Sequence, residues 1–204
     1  MTKRKALTSY NKKDRVIKDM EQLESMKHTN TENKQIAGKL LPAIICFLIL
    51  VGIDQITKYL VTHNMELFSS IPVIQDVFEI HYIQNPGAAW GILANSYILF
   101  YIVTVIVFIL GVCFYIQCAR FKHFQDFRVL IVLILAGATG NFIDRIRFQY
   151  VIDFLYFKLI DFPVFNVADC YVTIGFFCLA FLLLFKYSEE DLEKLFPKTT
   201  KSSE

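Results

Sequence analysis

Hydrophobic residues gather into four long runs separated by polar segments, at residues 40–61, 96–116, 127–148 and 168–187. The hydrocarbon core of a bilayer is about 30 Å thick, and about 20 helical residues cross it because each residue rises about 1.5 Å. Each run is long enough to cross the core once. The pattern therefore predicts an all-α membrane protein with four transmembrane helices.

The hydrophobic pattern changes its period between the first two runs. Residues 71–83 read IPVIQDVFEIHYI, in which apolar and polar side chains nearly alternate. Alternation of this kind is typical of a half-exposed strand. We therefore expect a small β-rich element outside the membrane, between spans one and two.

Both ends of the chain are charged and lack a strong apolar periodicity. The sequence divides into a charged extension at 1–39, a four-span region at 40–187 and a charged tail at 188–204. The extension is longer than the basic segment of a secretory signal peptide, and no small-residue cleavage pattern follows the first apolar run. We expect that run to remain as an anchor, and both ends to be solvated and helical in parts.

Composition agrees with a membrane setting and narrows the possible partners. Hydrophobic residues make up 55% of the 204 residues and the mean hydropathy is +0.44, which is too apolar for an ordinary soluble domain. The net charge is only +2, and basic residues flank the apolar runs, so nucleic acid is not an expected partner. The five cysteines are an odd number and imply no disulfide framework.

Basic residues indicate the orientation in the membrane. Lysine and arginine are frequent in 1–39 and absent from 63–97. The positive-inside rule therefore predicts a cytoplasmic N-terminus, and it also places Arg120, Lys122 and Arg128 inside. Four spans return the C-terminus to the cytoplasmic side.

Polar residues in and beside the spans form the candidate site, because ionisable groups in a membrane are costly and mark function by default. With the N-terminus inside, all of them fall in one layer near the outer face, whereas a transporter would spread them with depth. They are Asp54 and Lys58 in span one, Asn85, Gly87 and Trp90 in NPGAAWG, Asn141, Asp144 and Arg145 in GNFIDR, Asp153 in the following loop, and Asn166 and Asp169 in FNVAD.

Several of these residues also have a structural interpretation. Asp54 and Lys58 are spaced i, i+4 and can form a helical ion pair. Asp144 can pair with the adjacent arginine, and Asp169 can be a helix N-cap. Asp153 lies in the apolar run YVIDFLYF without an adjacent base.

Asp153 and Asp169 together suggest an aspartyl dyad. Two close carboxylates cannot both ionise easily, so one can take a proton from water while the protonated one polarises a peptide carbonyl. From the residues alone, Asp144 remains an alternative to Asp153. Two other hydrolytic mechanisms lack the residues they need. The histidines do not cluster as zinc ligands do, and a Cys170 nucleophile would need a distant base such as His81. We expect no metal and no cofactor.

Five motifs occur in a fixed order along residues 40–186: DQITK at Asp54, NPGAAWG at Asn85, GNFIDR at Gly140, VIDF at Val151 and FNVAD at Phe165. In this combination the sequence resembles the lipoprotein signal peptidase family, also called signal peptidase II. The resemblance implies an aspartic endopeptidase of the bacterial cytoplasmic or inner membrane. Such enzymes remove the signal peptide of diacylglyceryl-modified prolipoproteins before the lipidated cysteine and are blocked by globomycin.

The resemblance also implies roles for individual residues. It makes Asp153 and Asp169 the catalytic pair, and it is the resemblance that selects Asp153 over Asp144. The expected partners are the prolipoprotein and membrane lipids, and we expect a monomer. A small transporter and a non-catalytic membrane scaffold are the alternatives. The residues expected to line or support the site are Asn85, Gly87, Trp90, Asn141, Asp144, Arg145, Asn166, Asp54 and Lys58.

Overall fold

A computed structural model describes residues 2–87 and 97–195 of the chain, and side chains at 17–87 and 98–195. The chain divides into two compact units, residues 1–41 and 42–204. The helices are α1 (Thr2–Asn64), α2 (Tyr97–Ala119), α3 (Gln125–Phe148), α4 (Val167–Phe185) and α5 (Glu189–Leu195), with a short 3₁₀ turn at Lys158–Ile160. The strands are β1 (Ser70–Ile74), β2 (Phe78–Asn85) and β3 (Val151–Tyr156).

Within the described residues, α1, α2, α3 and α4 are long and apolar enough to cross a membrane. Their outward faces carry large apolar side chains, such as Leu48, Leu110 and Leu184, which are 60%, 62% and 75% exposed. Exposure on this scale would be unfavourable in water, whereas a bilayer accommodates it at no cost. The predicted four-span helical protein is confirmed.

The first helix begins far earlier than the first apolar run. The extension was predicted to be helical only in parts, yet α1 is assigned from Thr2. Lysine, glutamate, glutamine, methionine and leucine recur in the extension, and all of them are good helix formers. Propensity therefore accounts for helix where hydrophobic periodicity indicated none.

The small sheet has three antiparallel strands in the order β1-β2-β3. The hairpin β1-β2 confirms the strands predicted between spans one and two. The third strand, which follows α3, was missed because 151–154 is buried throughout, so apolar residues stand on both sides of Asp153 and the sequence VIDFLY does not alternate. Its pairing with β2 places Asn85 opposite Val151 and Ile83 opposite Asp153, so two distant motifs meet on neighbouring strands.

The chain leaves α3 through a tight reversal at Gln149. This residue adopts a left-handed conformation with φ 65°, and its N–H donates to the Arg145 carbonyl at 3.0 Å. The reversal sends β3 back toward the end of α1, where Val61, Tyr82, Ile152 and Phe154 form a buried cluster. The sheet is thereby fixed against the helices that carry the polar residues.

Glycines in α3 allow the helices to approach closely. A β-carbon at Gly137 would lie 2.8 Å from Val172 Cγ2 and still closer to the Ala168 carbonyl oxygen, both in α4. A β-carbon at Gly140 would lie 2.9 Å from Asp54 Cγ. Small residues at such positions are typical of helix packing in membranes.

We predict that Gly137→Ala destabilises the folded protein by about 1–3 kcal/mol, because the added methyl group has no space against the α4 backbone. The matched control is Gly52→Ala, since no atom lies within 4 Å of a β-carbon at Gly52. That substitution should be neutral or stabilise the helix by up to about 1 kcal/mol. Thermal unfolding in detergent measures both, and equal melting temperatures for the two variants would contradict the close approach of α3 and α4.

Candidate active site

A buried ion cluster joins α1 to α3. The ammonium of Lys58 lies 3.0 Å from Asp54 Oδ2 and 2.8 Å from Asp144 Oδ2, and all three side chains are at most 2% exposed. The predicted helical pair of Asp54 and Lys58 is therefore confirmed. The ion-pair partner of Asp144 among the described residues is Lys58 rather than the adjacent Arg145, which corrects the pairing considered from sequence.

The remaining acceptor atoms of the two carboxylates are also satisfied. Gln55 Nε2 donates to Asp54 Oδ2 at 3.2 Å and to Asp144 Oδ1 at 3.0 Å. The backbone N–H of Ala168 donates to Asp54 Oδ1, and that of Ile152 donates to Asp144 Oδ2. Within the described residues, no buried side-chain nitrogen or oxygen lacks a hydrogen-bond partner. The cluster thus holds α1, α3, β3 and the start of α4 in one arrangement.

Asn141 connects this cluster to Asp169. Its Oδ1 accepts from Lys58 Nζ and from Asn166 Nδ2, both at 3.0 Å, and its Nδ2 donates to Asp169 Oδ1 at 2.7 Å. An ammonium group can only donate, so Lys58 requires the oxygen of the Asn141 amide on its side. The amide nitrogen must then face Asp169.

Asn166 contacts both candidate catalytic residues. It is the N-cap of α4, where its Oδ1 accepts from the Asp169 N–H at 3.0 Å and Asp169 Oδ2 accepts from the Asn166 N–H at 3.1 Å. Its Nδ2 donates to Asp153 Oδ1 at 2.6 Å. The N-cap interpretation of Asp169 is therefore wrong by three positions, because Asp169 is the third helical residue of a reciprocal capping box.

Asp153 is held in a polar recess of the sheet and is only 2% exposed. Asn85 Nδ2 donates to its Oδ2 at 2.8 Å, and Asn85 Oδ1 accepts from the Gly87 N–H at 2.9 Å. Gly87 has φ +95°, a conformation that L side chains rarely adopt, so glycine suits this turn. The pKa of Asp153 is raised to about 7: burial is the main cause and the charge of Asp169 adds to it, while the hydrogen bonds from Asn85 and Asn166 lower the pKa.

Arg145 approaches the site from the C-terminal end of α3. Its guanidinium lies over the Phe100 ring, 4.5 Å from the centroid, and Nη1 lies 3.4 Å from the Asn141 carbonyl oxygen. Tyr101 holds the same turn by donating its hydroxyl to the Arg145 carbonyl at 3.0 Å. The positive charge of Arg145 attracts the carboxylates of Asp169 and Asp153.

One network thus contains all the residues predicted for the site except Trp90, which lies outside the described residues. Sequence reasoning missed Gln55 and the two backbone donors at Ile152 and Ala168. Gln55 lies inside the DQITK motif, so its position beside Asp54 was the available signal. His81, considered as a base for Cys170, instead contacts Ser70 Oγ at 2.7 Å on the sheet.

The fold and the site define a membrane protein with four candidate spans, in which buried carboxylates converge where three helices meet a small sheet. The family model described as Signal peptidase (SPase) II, Peptidase_A8, matches residues 46–185. The chain belongs to the signal peptidase II family and is a peptidase.

Individual relatives agree with the family match. The lipoprotein signal peptidase of Anoxybacillus flavithermus is 41% identical over 160 residues, which cover 77% of this chain and 91% of that protein. The lipoprotein signal peptidase of Bacillus subtilis is 41% identical over 150 residues, covering 72% and 96%. A bacterial membrane enzyme solved by the in meso method at 2.3 Å is similar with a TM-score of 0.65 and 35% identity, covering 80% of this chain and 93% of that one.

We predict that Lys58→Met destabilises the protein by about 3–5 kcal/mol, because it leaves two buried carboxylates without their shared cation. The control is Lys186→Met, which removes the lysine of an ion pair with Asp126 in which the two side chains are 49% and 41% exposed. Exposed pairs contribute little, so the control should melt close to the wild type. If Lys58→Met also melts at the wild-type temperature, the cluster does not hold the helices together.

Proposed function

We propose that this chain removes the signal peptide of prolipoproteins in the bacterial membrane, using Asp153 and Asp169 as an aspartic dyad. The observation that carries the proposal is the position of Asn166, which hydrogen-bonds the side chain of Asp153 and is joined to Asp169 by the capping box. The lipoprotein signal peptidases among the relatives support the substrate class. A single residue that hydrogen-bonds both carboxylates holds them beside each other, which the shared use of one water molecule requires.

The reaction needs one carboxylate that accepts a proton and one that donates a proton. Asp153 supplies the proton, because burial raises its pKa to about 7 and leaves much of the group protonated near neutral pH. Asp169 acts as the base, since its carboxylate accepts from Asn141 Nδ2 and from the Asn166 N–H at the N-terminus of α4. An N-terminal helix position favours negative charge.

Hydrolysis then proceeds by direct attack of water. Asp169 takes a proton from the water molecule while the water oxygen bonds to the scissile carbonyl carbon. Asp153 gives its proton to the carbonyl oxygen. The resulting tetrahedral intermediate collapses when the peptide C–N bond breaks. Asp169 passes its proton to the leaving nitrogen, and Asp153 recovers its proton from the diol. No covalent enzyme intermediate forms.

Arg145 and the asparagines position the reacting groups. The charges of Asp169 and Asp153 act on Arg145, so its guanidinium offsets negative charge on the dyad. Asn85 and Asn166 each donate a hydrogen bond to a different oxygen of Asp153, and Asn141 donates one to Asp169. Trp90 and the sheet complete the proposed substrate contacts. The proposal includes an active monomer, because Asn85, Asn141, Asn166 and Arg145 reach the dyad within a single chain.

The setting of the dyad suits a lipidated substrate. A diacylglyceryl-modified peptide is confined to the bilayer with its cleavable bond near the interface, so its peptidase needs carboxylates at that depth. In our proposal the N- and C-termini are cytoplasmic and the dyad lies near the outer face. The basic residues in 1–39, together with Arg120, Lys122 and Arg128, favour this orientation by the positive-inside rule. Cleavage occurs before the lipidated cysteine.

We predict that Asp153→Asn and Asp169→Asn each lower the turnover of a diacylglyceryl-modified prolipoprotein by at least about 100-fold, because each removes one proton-transfer group. The control is Asp161→Asn, an exposed position where the carboxylate accepts from the Tyr156 hydroxyl at 2.6 Å. Cleavage is followed by gel shift with purified variants whose melting temperatures are measured in parallel. Folded dyad variants that cleave at the control rate would overturn the proposal.

We also predict that the cleavage rate falls as the pH rises above about 7, the pKa of Asp153, because the deprotonated group can no longer donate. Asn85→Ala removes a hydrogen bond that favours the ionised form, so the pKa of Asp153 should increase and the falling limb should move to higher pH by about one unit. The control is Gln84→Ala, since the Gln84 amide instead donates to the Tyr82 hydroxyl. A limb that stays in place or moves to lower pH in Asn85→Ala would exclude Asp153 as the proton donor.

A further inference from the structure

The first turn of α2 lies beside the candidate active site, although none of the five sequence motifs includes it. Phe100, a half-buried residue of this turn, contacts two parts of the site that are far apart in sequence. One is the guanidinium of Arg145 in α3, and the other is the backbone of Gly87, in the turn that follows β2. The proposed mechanism leaves this phenylalanine without a role.

The face of the Phe100 ring holds Arg145. The guanidinium carbon lies over the ring, 4.5 Å from its centroid. A cation in this position is attracted by the ring quadrupole, and the attraction is stronger where water is excluded. The hydrogen bond from Arg145 Nη1 to the Asn141 carbonyl oxygen is long, at 3.4 Å. The ring therefore restricts the guanidinium more than this hydrogen bond can alone.

The edge of the same ring packs on the turn at Gly87. A β-carbon at Gly87 would lie 2.7 Å from Phe100 Cε2, which is closer than van der Waals contact, so the ring and the glycine backbone approach directly. The Gly87 N–H donates to Asn85 Oδ1, and Asn85 Nδ2 donates to Asp153 Oδ2. A displaced ring would loosen this turn and, with it, the amide that holds Asp153.

Both contacts of the ring affect the protonation of Asp153 in the same direction. The positive charge of Arg145 attracts the Asp153 carboxylate, and the hydrogen bond from Asn85 favours its ionised form. Loss of either interaction would raise the pKa of Asp153. Lys58 also favours the ionised form and Asp169 opposes it, and both are held by hydrogen bonds within the network described above.

We propose that Phe100 is a positioning residue of the peptidase reaction, whose aromatic ring keeps Arg145 and the Asn85–Gly87 turn in place beside the dyad. This inference rests on the proposed function, because the dyad is what these groups serve. A leucine at this position fills similar space but has no aromatic face. Filling space and holding a cation can therefore be separated by experiment.

The first test compares Phe100→Leu with Phe108→Leu in the purified full chain cleaving a diacylglyceryl-modified prolipoprotein. Phe108 lies two turns further along α2, where its ring contacts Phe47 with 6.3 Å between centroids. In Phe100→Leu we expect kcat to fall about tenfold, KM to change by less than about threefold, and the falling limb of the pH profile to move up by about half a unit. Phe108→Leu should match the wild type. Equal profiles for the two variants would overturn the proposal.

Fluorinated phenylalanine at position 100 tests the ring face while nearly keeping its shape. 4-Fluorophenylalanine and 3,4,5-trifluorophenylalanine, introduced by amber suppression, progressively weaken the negative potential of the face that attracts a cation. We expect kcat to fall stepwise with fluorination at position 100 and to stay constant with the same residues at position 108. A trifluorinated ring that cleaves at the wild-type rate would assign Phe100 a packing role alone and contradict the proposal.

A chemical label separates this inference from the peptidase proposal. Phenylglyoxal modifies accessible guanidinium groups, and mass spectrometry of the digested protein follows Arg145 and Arg147 together. We expect Arg145 to react at least about threefold faster in Phe100→Leu, while Arg147, which lies over the Phe148 ring, reacts as in the wild type. An unchanged Arg145 rate would overturn its placement by Phe100. If Asp153→Asn in the same series cleaves at the wild-type rate, the peptidase proposal fails and the labelling result still stands.

Discussion

The arrangement of this protein depends on a lysine buried between two carboxylates. Lys58 is 1% exposed and forms ion pairs with Asp54 from its own helix and with Asp144 from α3. Charges without water must be paired and hydrogen-bonded, so the helices can meet only where these three groups coincide. Lipid-facing helices gain little from burying apolar surface against each other, which makes such polar contacts the main source of a unique arrangement.

The same cluster extends to the proposed catalytic groups through two amides. Lys58 sets the direction of the Asn141 amide, which donates to Asp169, and Asn166 connects Asn141 to Asp153. Each amide has its donor and acceptor ends assigned by a neighbour that can act in only one way. In the proposed mechanism, the fixed orientation of these two amides connects the ion cluster to the dyad, in which Asp153 donates a proton and Asp169 accepts one.

Much of this could be predicted from sequence, because a bilayer imposes a length and a composition on each span. The four helices, the β1-β2 hairpin and the Asp54–Lys58 pair followed from run length, alternation and i, i+4 spacing. β3 could not be recognised, since burial on both faces removes alternation. The long-range contacts of Asp144 and Asn166 within the chain could not be predicted either, because hydrogen bonds between residues far apart in sequence leave no local pattern. The choice of Asp153 over Asp144 came from family resemblance alone, and the geometry gives it a physical basis: Asp144 is committed to Lys58.

The central claim is that Asp153 and Asp169 act as one unit on one water molecule, and a double-mutant cycle tests it most directly. Single-turnover cleavage of a lipidated prolipoprotein would be measured for the wild type, both single asparagine variants and the double variant. The account predicts that the double variant loses little more than either single variant, because removing one partner already disables the pair. Losses that multiply in the double variant would mean that the two carboxylates contribute independently, and would contradict a shared dyad.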